Sequence, residues 1–246
     1  MPSDTIESPV TTARFAGALW LIVIIASLID VLAVPAINTT GTPAQTAASV
    51  LASEGPIRLG FALNVLVSVC YLGVTALLYD LLRPVGRGLA LFGAFAGVGG
   101  IIVGAASAVD ELAALGLLRD AATATPDTAN QLQTIAQLAF RAGPEFAVSM
   151  VFFGFQIVSV GYLIFRSTFL PRIIGAVLVL GGASYIAISL AKFVAPTLGM
   201  RMGPLVIPIA IIGEGALTLW LLFKGVDAER WRLHPRRTAP DLGVAR

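Results

Sequence analysis

Apolar positions fall into six long runs separated by short polar stretches. The runs cover about Phe15–Val34, Ile57–Leu78, Leu89–Val109, Pro144–Phe165, Ile173–Val194 and Leu205–Phe223. Each has roughly the 20 residues a helix needs to cross a hydrocarbon core of about 30 Å. The pattern is most compact at GYLIFRSTFLPRIIGAVLVLGG, Gly161 to Gly182. There one run ends at Phe165, a basic turn Arg166–Arg172 follows, and the next run begins at once. This predicts a helical hairpin crossing a membrane twice. The fold expected for the whole chain is all-α, a polytopic six-helix transmembrane bundle. Residues 1–13 read as a disordered polar tail, 14–226 as the membrane domain and 227–246 as a basic cytoplasmic tail. Residues 36–55 read as a polar loop. Within the loop 119–141, Leu132, Ile135, Leu138 and Ala139 stand at helical spacing and predict a surface helix. The apolar run starting at Phe15 is too long for a signal-peptide core, so it is read as a retained first span.

Composition supports the same class. Hydrophobic residues make up 57% of the chain and charged residues 12%, about half the charge of a soluble domain. Mean hydropathy is +0.89. Charge placement then orients the bundle. Arg83 and Arg87, Arg166 and Arg172, and Lys224, Arg230, Arg232, Arg236 and Arg237 all fall on one side, whereas Glu54, Asp110, Glu111, Asp120 and Asp127 fall on the other. The positive-inside rule makes both termini cytoplasmic. Trp220 and Trp231 suit the membrane interface. The basic tail is read as contacting anionic lipid and not nucleic acid. A single cysteine, Cys70, excludes an internal disulfide, and a single histidine, His234, excludes a histidine-cysteine metal centre. No nucleotide-loop, zinc-protease, nucleophile-elbow or CxxC motif occurs. No cofactor and no metal are expected.

The segments ARFAGALWLIVIIAS, LASEGPIRLGFALNVLVSV, YDLLRPVGRGLALFGAF, FFGFQIVSVGYLIFRSTFLPRIIGAVLVLGG and ALTLWLLFKGV together span most of residues 13–226. In these the sequence resembles the DUF4386 family of bacterial integral membrane proteins, a domain of unknown function. The resemblance implies a six-span, multi-pass protein of the bacterial inner membrane and transfers no catalytic residue or substrate. Members often carry a histidine near the start of the fourth span. Here that stretch reads AFRAGPEFAVSM and has none.

Polar residues inside a membrane are costly, so their positions carry information. Asn64, Ser68, Tyr71 and Thr75 share one face of the second span. Glu145, Ser149, Gln156 and Ser159 share one face of the fourth, and Ser184, Tyr185 and Ser189 lie on the fifth. Glu214 is nine residues from Leu205, about 13 Å in, and near mid-membrane. A carboxyl group there must be paired, protonated or wet. The candidate intramembrane site is therefore Glu214, Gln156, Tyr185, Asn64 and Glu145, with Lys192 an alternative partner for Glu214. Asp30 and Arg58 are expected to form an ion pair. In the third span Gly93, Gly97, Gly100 and Gly104 share a face, continued by Ser107 and Glu111, and predict close helix packing.

Three function classes remain open. The first is a small carrier or binding protein for a small or lipid-like solute, housed in an intramembrane polar cleft. Six spans are few for a carrier, which leaves room for a homodimer. The second is a structural or regulatory membrane protein whose polar residues only fix packing. The third is a membrane enzyme acting on a lipid, with Glu145, Glu214 and Tyr185 as acid-base groups. That reading is disfavoured because no paired-carboxylate motif is visible.

Overall fold

The computed structural model describes residues 8–35, 37–141 and 144–234, apart from the side chains of 144–146, 200, 203–207 and 210. Its regular structure is helical throughout the described residues. The helices are α1 (Pro9–Ala33), α2 (Pro43–Ala52), α3 (Glu54–Ala121), α4 (Pro126–Phe140), α5 (Pro144–Arg166), α6 (Arg172–Val194), α7 (Pro196–Phe223) and α8 (Ala228–Arg232). Proline opens α1, α2, α4, α5 and α7, where its missing N–H has no helical partner to lose.

Four described helical stretches are long and apolar enough to cross a membrane, against the six expected. They are Pro9–Ala33, Glu54–Ala121, Ala147–Arg166 and Arg172–Val194. The difference has two sources. The second and third expected spans form one continuous element, α3, interrupted only at Gly86, whose φ of −171° and ψ of 91° are not helical. Pro84, two residues earlier, removes a helical N–H at the same place. The sixth expected span, 205–223, falls partly on side chains outside those described, and its described part, Ile211–Phe223, is shorter.

Helix α3 is bent back on itself at Gly86. Thr75 and Gly97 stand eleven residues before and after that glycine, and both meet Gln156: its amide donates to the Thr75 hydroxyl at 3.0 Å, and a Cβ on Gly97 would lie 2.5 Å from it. In a straight helix these two residues would be about 33 Å apart. The arms 54–85 and 87–121 therefore lie side by side. Their outward faces are apolar: Leu66, Val69, Phe92, Phe95 and Ile102 are all exposed. Such a surface suits lipid better than water.

The described residues divide into two compact units. The first takes in residues up to Leu21, Tyr71–Gly100 and those from Met150 onward. Within it α5 and α6 touch backbone to backbone. A Cβ at Gly161 would stand 2.7 Å from the Gly175 carbonyl oxygen, and one at Gly154 would stand 2.8 Å from that of Gly182. Glycines seven apart on each helix thus make two contacts along an antiparallel pair, where only hydrogen can fit. The glycine face of α3 works differently. Gly93, Gly97 and Gly100 receive the side chains of Ser159, Gln156 and Phe153. The expected close packing is there, but it accommodates side chains of α5 and not its backbone.

Both ends of this unit differ from expectation. Helix α1 starts at Pro9, inside the stretch read as a disordered tail, because Thr12 and Ala13 are buried. At the other end α8 lies within the stretch read as a basic tail. Its Trp231 is buried, and the indole N–H donates to the Leu81 carbonyl at 2.9 Å. This tryptophan locks α8 to α3 and is not an interfacial anchor.

The second unit takes in Ile22–Cys70 and Ile101–Ser149. The polar loop expected at 36–55 contains α2, started by a capping box in which Thr42 and Gln45 each bond the other's backbone N–H. Its Ala47 and Val50 pack with Ile57, Ala114, Leu115, Leu118 and Ala136. The expected surface helix exists as α4, but its packed face is centred on Ala136 and Gln137, leaving Ile135 and Leu138 52% and 58% exposed. Gln137 explains the rotation. Its buried amide nitrogen lies 2.9–3.1 Å from the carbonyls of Thr39 and Gly41 and from the Thr46 hydroxyl, which share its two N–H groups. Gln137→Leu would leave those acceptors without a donor, at a cost of about 2 kcal/mol. The expected result is faster amide exchange confined to residues 37–52 and 126–140; unchanged exchange there would refute the clamp.

The Asp30–Arg58 ion pair is not formed. Arg58 bonds Glu54 one turn earlier, at 2.8 Å, and Arg119 from the other arm of α3 joins the same carboxylate. The i, i+4 spacing on one helix gives Arg58 a nearer partner than Asp30. Asp30 instead lies against Gly60, whose Cβ would come within 2.7 Å of its carboxylate.

Candidate functional site

The site forms in the first unit, where α1, α3 and α6 each bring a side chain to Glu214 of α7. Helix α7 carries the acid between two glycines. Gly213 packs against Val177 and Leu178 of α6, while a Cβ on Gly215 would enter open space among the described residues. The tight side draws α7 onto α6, and this brings Tyr185 to the carboxyl group. The Tyr185 hydroxyl donates to Glu214 Oε1 at 2.9 Å. The Trp20 indole N–H of α1 lies near enough to the same group to interact with it.

Aromatic rings complete the surround. Tyr71 of α3 lies close enough to Glu214 and Tyr185 to interact electrostatically with both. Its ring meets Trp20 edge-on with centroids 6.1 Å apart, and Phe153 of α5 edge-on at 5.1 Å. Edge-to-face contacts of this kind fix ring orientation as well as burying area. Trp20 and Tyr71 are buried, whereas Glu214 and Tyr185 retain partial exposure. The arrangement is a carboxyl group held by the Tyr185 hydroxyl, with the Trp20 indole and the Tyr71 ring beside it. A carboxylate has about four acceptor positions, so the bond from Tyr185 leaves capacity for a further partner.

Of the residues expected at this site, the structure joins Glu214 to Tyr185 directly. Lys192 is exposed and is not the partner of Glu214. Gln156 has a different environment. It bonds Thr75 and lines, with Gly93 and Ser159, a cavity of about 10 Å³ whose lining does not include Glu214. Its Oε1 is buried without a hydrogen bond among the described residues, and the cavity is large enough for one water to satisfy it. Asn64 falls in the second unit with intermediate exposure. Glu145 belongs to the first turn of α5, and its side chain lies outside those described. Other interior hydroxyls turn back on their own helices: Ser159 donates to the Phe155 carbonyl and Ser184 to that of Gly181. Among the described residues, no group of three or more His, Cys, Asp or Glu side chains is placed to hold a metal ion.

Trp20 was not among the expected site residues. A signal for it existed: tryptophan favours the ends of a span, and one well inside an apolar run needs an acceptor for its N–H.

Comparison with known proteins adds a family and no activity. A family model described as a domain of unknown function (DUF4386) matches residues 15–225. No curated protein and no solved structure matches.

Proposed function

The chain belongs to the DUF4386 family, and from that premise we propose that it is an integral membrane protein that binds, and carries, a small solute at an intramembrane site centred on Glu214. The observation behind this reading is the aromatic surround of that carboxyl group. An acid with Tyr185, Trp20 and Tyr71 beside it combines a carboxyl group with aromatic rings, the combination that recognises amines and quaternary ammonium groups. The ligand class is therefore a small or lipid-like molecule bearing a positive charge. The Gln156–Thr75 bond joins two neutral side chains and supports a packing role for them, whereas Glu214 is an ionisable group among aromatic side chains.

In this reading the chain crosses a bacterial inner membrane six times. The two arms of α3 count as separate crossings and α7 as the sixth, with both termini cytoplasmic. The basic residues of the Gly86 bend, of the α5–α6 turn and of the segment after α7 support that orientation. A reporter fused after Arg237 should read as cytoplasmic and one inserted at Thr125 as external; a cytoplasmic reading at Thr125 would overturn the topology. For the site, the test is untargeted mass spectrometry of small molecules that co-purify with the chain in mild detergent. Cationic species should be enriched over a control membrane protein, and a purified chain enriched in none would refute the reading.

A further inference from the structure

We propose that the groove between the α5–α6 turn and the α7–α8 corner is a binding site for the phosphate of an anionic lipid head group. The corner is built by Gly225, which ends α7 in the left-handed conformation at φ 68° while its N–H bonds the Trp220 carbonyl at 3.0 Å. Two bonds then fasten the corner to the turn. The Asp227 N–H donates to the Phe169 carbonyl at 3.3 Å, and the Arg230 guanidinium donates to the Thr168 carbonyl at 3.4 Å. Between them lies a cavity of about 500 Å³, lined by Phe169, Pro171, Trp220, Lys224, Asp227 and Arg230.

The charges in this groove are not balanced. Asp227 is paired with Arg230 at 3.1 Å. Lys224 is exposed and has no carboxylate partner among the described residues. The groove thus presents one uncompensated ammonium, with a second cation beside it already oriented by its own ion pair. A phosphate diester is the anion that such a site suits, since lysine holds phosphate as a point charge.

Position selects a lipid as the source of that phosphate. The turn 167–171 joins two apolar helices that are each long enough to cross a membrane, so it lies at the boundary of the bilayer. Trp220 lines the groove at 37% exposure, and tryptophan favours head-group depth. Ile173 and Phe223, on the helices that end at the groove, are 74% and 69% exposed and give acyl chains an apolar track. The proposal depends on the membrane placement of α5 and α6 and is independent of Glu214.

The test uses the purified full chain in a zwitterionic detergent. Dihexanoyl phosphatidylglycerol, dihexanoyl phosphatidylcholine and inorganic phosphate are titrated separately and followed by native mass spectrometry and tryptophan fluorescence. The phosphatidylglycerol should bind about tenfold or more tighter than the other two, and Lys224→Gln should remove that advantage while leaving the melting temperature unchanged. Lys224→Arg should retain affinity to within about threefold, because the charge is kept. Trp220→Leu, which leaves every charge in place, should weaken the same ligand. Equal binding of phosphatidylglycerol by wild type, Lys224→Gln and Lys224→Glu would overturn the proposal. So would phosphatidylcholine binding as tightly as phosphatidylglycerol, and inorganic phosphate doing so would make the groove a free-anion site and sink the lipid assignment.

Discussion

Gly161→Leu is expected to abolish the folded bundle. A Cβ at this position would stand 2.7 Å from the Gly175 carbonyl oxygen and 2.8 Å from the Val179 nitrogen, both backbone atoms of α6. Neither can rotate away, so the helices must separate along their contact. Overfilling a core that can adjust typically costs about 1–3 kcal/mol, and a rigid backbone contact should exceed that range. Gly161→Ala already places the offending carbon and should show most of the effect. Gly100→Leu is a milder change, because the atoms nearest its Cβ belong to the Phe153 ring, at 2.8 Å. Gly116 meets nothing within 4 Å. Gly116→Ala should be neutral or stabilise by up to about 1 kcal/mol through helix propensity. The measurement is monodisperse yield and melting in detergent for the four variants. Wild-type behaviour of Gly161→Leu would show that α5 and α6 do not meet through their glycines.

These glycines show what the sequence could reveal and what it could not. Spacing exposed the α3 face of Gly93, Gly97 and Gly100, because the residues lie close together on one helix. Gly154 and Gly161 are seven apart in a run of large apolar residues, and their partners Gly175 and Gly182 lie on another helix. Pairing of that kind is a tertiary fact without a local signature. The apolar runs and the break near Gly86 were legible for the opposite reason, since hydropathy, Pro84 and nearby arginines are all local. The region of α2 reads as a loop because alanine, serine and threonine carry little apolar moment. Its capping box, Thr42 followed by Gln45, was present in the sequence and outweighs that weakness. The Asp30–Arg58 pair failed because depth in a span was used without the nearer i, i+4 partner, Glu54. At the site, an acid at mid-membrane drew attention to Glu214, and Tyr185 followed from the polar positions of its span. Trp20 was passed over because its side chain counts as hydrophobic in any pattern, although its N–H needs an acceptor.

Glu214→Gln should leave the protein folded and empty of its solute. The amide keeps the shape of the side chain and its carbonyl can still accept from Tyr185, so the contact at 2.9 Å survives. On the proposed reading, what is lost is the group able to carry the negative charge that faces a cationic ligand. Removing one partner of a desolvated charge pair costs about 2 kcal/mol or more, which is roughly a thirtyfold loss of affinity. Glu214→Leu separates this from a structural role. It removes the acceptor as well as the charge and strands the hydroxyl of Tyr185, a loss of about 1–3 kcal/mol in stability. Tyr185→Phe should restore part of the melting loss in the leucine background, because the stranded hydroxyl goes with it while the Trp20 N–H still lacks the carboxyl group, and should not restore solute. The readouts are co-purified solute by mass spectrometry and melting temperature in detergent, for the wild type and the single and double variants. A chain with Glu214→Gln that retains the full complement of captured cationic solute would end the binding reading. Melting that fell equally in Glu214→Gln and Glu214→Leu would assign the acid to packing alone.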